Sequence, residues 1–264
     1  MQDTNVESAA AAEVEEAKGG LRGFNLVVGL IHLAQAILMF WWSNDFSLPV
    51  TRTFLTGPPG TDPSSESWFS VALGPAVAIF LLLAAVDHIL MAVPGINDWY
   101  NRMLAREQNQ ARWIEYSVSA SLMMVLIAMI CGVTDAGALI AIFGVNSCML
   151  LFGMIQEFIN RPGRENVNWI PYLFGCFAGV VPWLVVALNI WTSEDLGQGP
   201  PTFVYGIIIS LFLLFNTFSV NMVLQYKRVG KWKSYVYGEK VYIVLSLVAK
   251  TALAWQVYAN ILIE

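Results

Sequence analysis

The chain has 264 residues, 57% of them hydrophobic and 12% charged, with a formal net charge of −5 and a mean hydropathy of +0.60. This balance excludes an ordinary soluble globule, and the length suits one membrane bundle with short loops and no second sizeable domain. The modest acidic charge gives no footprint for nucleic acid, and Cys131, Cys148 and Cys176 are odd in number and without metal-ligand spacing. They are expected to be small buried side chains, with no metal site.

Residues 1–17 are Ala-rich and acidic through Asp3, Glu7, Glu13, Glu15 and Glu16. A secretory signal begins basic and runs straight into an apolar core, so residues 1–20 are expected to be a frayed or weakly helical acidic tail instead. The rest, 21–264, reads as one all-α membrane domain. Seven apolar segments reach the roughly 20 residues that a bilayer crossing needs. They are Leu21–Trp42, Trp68–Val93, Trp113–Val133, Ala136–Ile159, Trp169–Trp191, Thr202–Tyr226 and Val236–Ile263. Trp41, Trp42, Trp68, Trp113, Trp169, Trp191 and Tyr226 sit at segment ends, where aromatic side chains anchor to the membrane interface. The long connection, 43–67, carries Pro49, Gly57-Pro58-Pro59-Gly60 and a loosely alternating Phe46–Leu55 stretch, which predicts a short β-hairpin over the outer mouth.

Charge sets the orientation. Lys18 and Arg22 precede the first segment; Arg102, Arg106 and Arg112 lie between the second and third; Arg161 and Arg164 lie between the fourth and fifth. Lys227, Arg228, Lys231, Lys233 and Lys240 lie between the sixth and seventh, whereas Arg52 is the only basic residue of the opposite connections. The positive-inside rule therefore predicts a cytoplasmic N-terminus and, after seven crossings, an extracellular C-terminus.

Few ionisable groups lie within the segments. Lys250 is the only charged side chain between Val241 and Ile263, and an ammonium at that depth costs about 3 kcal/mol. Two readings are open: a Schiff base to retinal in a light-sensing protein, or a lysine that is salt-bridged or snorkels to one surface. On the third segment Arg112, Glu115 and Ser119 follow i, i+3, i+7 spacing and share a face. Glu115 is either the counterion of Lys250 or an interfacial partner of Arg112. Ser246, one turn before Lys250, either meets its nitrogen or bonds its own backbone.

His32, with Gln35 nearby, and His88 are candidates to accept a proton in the inner half, where Glu157 also lies. Asp87 is near enough to a segment end to be interfacial and is left outside the site. Asn146 offers an interhelical hydrogen bond. Tyr116, Met123, Phe177, Trp183, Phe212 and Phe215 read either as walls of a narrow apolar slot or as ordinary packing. Gly175 and Gly179 make a small-xxx-small pair, inside the bundle or between protomers. The outer halves (116–134, 251–263, 33–42, 68–86, 136–156, 169–191 and 201–226) hold no Asp, Glu, His, Lys or Arg. A proton pump needs exchangeable groups on both sides, so the pattern favours a sensor.

Lys250 on the last segment and Arg112-x-x-Glu115-x-x-x-Ser119 on the third are similar to microbial rhodopsins generally. Arg112-Trp-Ile-Glu-Tyr-Ser117, Ala141-Ile-Phe-Gly-Val-Asn146, Phe203-Val-Tyr-Gly-Ile-Ile-Ile-Ser-Leu-Phe212, Tyr242-Ile-Val-Leu-Ser-Leu-Val-Ala-Lys250 and Ala252-Leu-Ala-Trp-Gln256 resemble the heliorhodopsins over all seven segments. The resemblance implies an inverted topology matching the charge reading. It implies all-trans retinal on Lys250, Glu115 as sole carboxylate counterion, Ser119 beside it, and Ser246 where pumps carry a second carboxylate. It also implies an inner polar cavity with His32, His88, Gln35 and Asn146, a slow photocycle without established pumping, and homodimers to which the first outer loop contributes. Ala84 departs from relatives that carry serine there, which leaves the detail of the inner water network open. The expected function is thus a photoreceptor in the cell membrane, not an enzyme, signalling to an unidentified cytoplasmic partner. The alternatives are a light-gated or passive proton conductor and a retinal-independent transporter or enzyme regulator.

Overall fold

The computed structural model describes residues 2–162 and 166–263, with residues 2–8 described for their backbone only. Arg164 and the side chains of Asp3 and Glu7, used in the charge reading, lie outside the described residues. The described residues form eight α-helices: α1 (Gln2–Trp42), α2 (Leu73–Ala92), α3 (Ile96–Leu104), α4 (Gln110–Ile130), α5 (Ala136–Ile159), α6 (Ile170–Asp195), α7 (Thr202–Tyr226) and α8 (Tyr235–Val257). All but α3 include an apolar stretch of membrane-spanning length. A two-stranded sheet, β1 (Ser47–Phe54) and β2 (Ser64–Ala72), joins α1 to α2.

The expected hairpin is present and antiparallel, pairing Ser47 with Ala72 and Phe54 with Ser64 around an irregularity at Val50/Thr51. It takes Trp68–Ala72 away from the second segment, so α2 starts five residues later than predicted. Thr51 ties the hairpin to the bundle through its amide, which donates to the Thr134 carbonyl at 2.9 Å in the α4–α5 turn. The hairpin thus marks one end of the bundle; the opposite end carries the basic connections. Short α3 lies at that basic end, entered through Gly95 at φ +83°, a conformation that a side chain would strain.

The largest departure is the N-terminus. Instead of fraying, residues 2–20 continue α1 as helix. Ala10, Val14, Ala17 and Leu21 recur at i, i+4, i+7 and i+11, forming a stripe along one face. Val14 and Leu21 bury against Met91, Tyr100, Leu104, Tyr235 and Val236. The Glu13 carboxylate accepts a hydrogen bond from the Ser234 hydroxyl, which also caps α8 by accepting from the Tyr237 amide at 2.9 Å. Tertiary packing has thus converted an acidic tail into an ordered element.

Toward the hairpin end, one apolar core joins α2, α4, α6, α7 and α8 through residues such as Phe80, Met123, Val186, Leu211 and Leu253. Gly175 and Gly179 act inside the bundle: their missing side chains let α6 approach Met149 and Phe152 of α5. Cys131 is buried as expected, but Cys148 and Cys176 are exposed on outer helix faces.

Candidate functional site

Lys250 lies mid-span on α8. Cα–Cβ bonds tilt toward a helix's N-terminus, so its side chain leans toward the basic end. There its Nζ donates to both carboxylate oxygens of Glu115, at 3.0 and 3.2 Å, and to Ser246 Oγ at 3.0 Å. Only 4% of the Lys250 side chain and 8% of the Glu115 side chain are exposed. Tyr116 presents its ring 4.9 Å from the same nitrogen and donates its hydroxyl to the Tyr242 carbonyl at 3.1 Å, linking α4 to α8. Lys250 is therefore paired, and Glu115 is its partner.

Arg112 does not join this pair, although it shares the Glu115 face of α4. Its guanidinium bonds Glu157 of α5 and Glu239 of α8 and lies 3.9 Å from the Tyr242 ring centroid. Asn109 adds its amide to Glu157 at 2.8 Å and its side chain to Glu239 at 2.6 Å, and the Tyr100 hydroxyl reaches Glu239 at 3.2 Å. Two convergent carboxylates outcompete Glu115, which is already engaged by Lys250. Arg112, grouped by the sequence reading with the proton-accepting histidines, thus pairs with Glu157 and Glu239 at the basic end. Glu239, Asn109 and Tyr100 were not anticipated. For Glu239 a signal existed: it precedes Lys250 by eleven residues, three helical turns, and so lies on the same face.

His32 and His88 meet across α1 and α2, their rings stacked at 5.8 Å and 7°. His88 Nδ1 lies 2.8 Å from Asn25 Oδ1, whereas neither His32 nitrogen has a partner among the described residues. Gln35, expected beside them, instead accepts from Trp255 Nε1 at 3.2 Å, five residues past Lys250 toward the hairpin end. Asp87 is half-buried, five residues from the end of α2 and so near the depth of Glu115. Ser119 is fully buried with its hydroxyl unpaired among the described residues, and Asn146 donates to Ser121 at 3.0 Å.

The predicted apolar wall is only partly realised. Met123 is buried, and Trp183 stands edge-on to Phe212 and Phe215 at 5.3 and 5.8 Å, bridging α6 and α7. Phe212 is itself 45% exposed and Phe177 77% exposed, so Phe177 faces outward and leaves the site. Their positions on the outward faces of α7 and α6 explain this, since apolar side chains suit lipid as well as a pocket.

The family model for heliorhodopsin matches residues 21–262. The chain belongs to the heliorhodopsin family. Membership makes it a multi-pass membrane protein of the retinal-photoreceptor type. No curated protein matches the sequence. Among solved structures, the light-driven proton pump LR (Mac) from Leptosphaeria maculans is similar in fold, with a TM-score of 0.59 and 16% identity. That match covers 92% of this chain and 95% of the pump.

The residues present fit a retinal chromophore. A primary amine is held against a carboxylate, and the neighbouring core on its hairpin side is built from Met123, Trp183, Leu211, Phe215, Leu253 and other apolar groups. A polyene requires such surroundings, with polar groups confined to one tip.

Proposed function

We propose that the protein is a light-sensing photoreceptor carrying all-trans retinal as a protonated Schiff base on Lys250, with Glu115 as counterion. The observation that carries this reading is the buried mid-span nitrogen within 3.0–3.2 Å of one carboxylate and of Ser246. When bound, retinal supplies light absorption and a bond isomerisation that redirects charge at that nitrogen.

Glu115, with both carboxylate oxygens within 3.0–3.2 Å of Lys250 Nζ, supplies the negative charge beside the positive nitrogen. Ser246 accepts from the same nitrogen and helps fix its orientation. On the basic side, the histidine pair offers a place for a displaced proton. On the hairpin side, the helix halves carry no Asp, Glu, His, Lys or Arg, which supports proton movement confined to one side and argues against pumping. The distribution of Lys and Arg supports a cytoplasmic basic end in the cell membrane. In this reading a slow return keeps a signalling conformation populated for a cytoplasmic partner. The protein works as a homodimer in which the hairpin takes part, and it has no enzymatic activity.

A light-gated or passive proton conductor is the second reading. It draws on polar pairs beyond Lys250, where Ser210 and Gln256 bond at 3.1–3.2 Å, since a water-filled path would use such groups. Patch clamp under illumination separates the two: a transient or null current supports the sensor, and a sustained photocurrent overturns it.

A further inference from the structure

Asn25 is buried on α1, seven residues before His32 and hence on the same face. Its side-chain nitrogen donates to the Leu21 carbonyl at 3.0 Å. A carbonyl can only accept, so this bond decides which way the amide points and turns its oxygen toward His88 Nδ1, 2.8 Å away. That oxygen also can only accept. His88 must therefore carry hydrogen on Nδ1, which leaves Nε2 with the lone pair in the neutral ring. Asn25 thereby selects the tautomer, as the outer hydrogen bond of a histidine generally does.

The stacked partner is not equivalent. His32 is 0% exposed, with no acceptor for either nitrogen among the described residues. A proton added to His88 Nε2 gives a cation whose Nδ1–H is already paired to Asn25, a protein partner that His32 lacks among the described residues. Ionisable groups on the surrounding elements include His32 and Arg22 on α1, Asp87 on α2 itself, Tyr100 on α3, Glu115, Tyr116 and Arg112 on α4, and Glu239, Tyr242 and Lys250 on α8. The Lys250–Glu115 pair is formally neutral, and moving its proton to His88 leaves Glu115 negative, which favours the new cation.

We infer that Asn25 is a positioning residue that makes His88, and not His32, the acceptor of the proton displaced from the Lys250–Glu115 pair. The inference rests on the photoreceptor reading. One N–H bond breaks at Lys250 and one forms at His88 Nε2; the positive charge moves with the proton, and thermal return reverses both.

Two measurements test it. In retinal-free protein labelled with ¹⁵N-histidine, solid-state NMR should find His88 protonated at Nδ1 and bare at Nε2. Asn25→Leu should lose that preference, while Asn25→Asp, which still accepts, should keep it. His88 protonated at Nε2 alone overturns the inference, whatever the folding of the variants. In retinal-loaded protein, light-induced difference infrared spectra should contain an imidazolium signal that His88→Gln abolishes and His32→Gln retains. Asn25→Leu should slow its rise about tenfold, the order expected for one charge-assisted hydrogen bond. A signal that survives His88→Gln, or no imidazolium signal in wild-type protein with its visible band formed, refutes the inference alone. Failure of the visible band to form refutes the photoreceptor reading, and the tautomer measurement still judges Asn25.

Discussion

The Arg112 cluster yields a prediction whose size follows from its geometry. One guanidinium, 4% exposed, is shared by two carboxylates that are 4% and 1% exposed, so the group is formally one negative charge in a place with little solvent. Glu157→Gln or Glu239→Gln removes the excess charge and leaves Arg112 with one ionised partner. Relief of that excess charge offsets part of the lost bond, so each should cost about 1 kcal/mol, the net worth of a typical hydrogen bond. The double variant strands the guanidinium with only ring faces and neutral amides, and a buried charge deprived of its partner costs about 3–5 kcal/mol. The two changes should therefore be more damaging together than their sum, by roughly 1–3 kcal/mol, within the range seen for contacting residues. Arg112→Met added to the double variant should recover part of the loss by removing the stranded charge. Thermal unfolding in detergent, followed by tryptophan fluorescence, measures all four. Additivity within about 0.5 kcal/mol would refute the shared guanidinium.

Lys250→Ala should abolish the visible band formed with added retinal, and a band that survives unchanged refutes the Schiff base. Glu115→Gln should red-shift the band strongly by removing the negative charge 3.0 Å from the nitrogen, and an unmoved maximum would mean the counterion is elsewhere. Gly153→Ala should destabilise the protein by about 1–3 kcal/mol, because a Cβ there overlaps the buried ring of Trp113, which near-UV circular dichroism would register. Ser234→Ala should cost about 1 kcal/mol through loss of the α8 cap and of the Glu13 bond, measured as a lower thermal midpoint.

The sequence by itself determined the number of crossings, the apolar character of the hairpin-side half and the importance of Lys250, because each depends on local hydropathy and the cost of a charge in lipid. The hairpin was legible for a similar reason, from turn residues between alternating stretches. Partner choice was not legible at that level. Arg112 and Glu115 share a helix face, yet one turns to Glu157 and Glu239 and the other to Lys250, since pairing depends on which helices come alongside. The same holds for the N-terminal extension, whose weak stripe became an ordered helix only because α3 and the start of α8 offered a surface to cover it. His32 and His88 were equal candidates in sequence. Only tertiary structure distinguishes them, by giving His88 the oxygen of Asn25 and leaving His32 without an acceptor among the described residues.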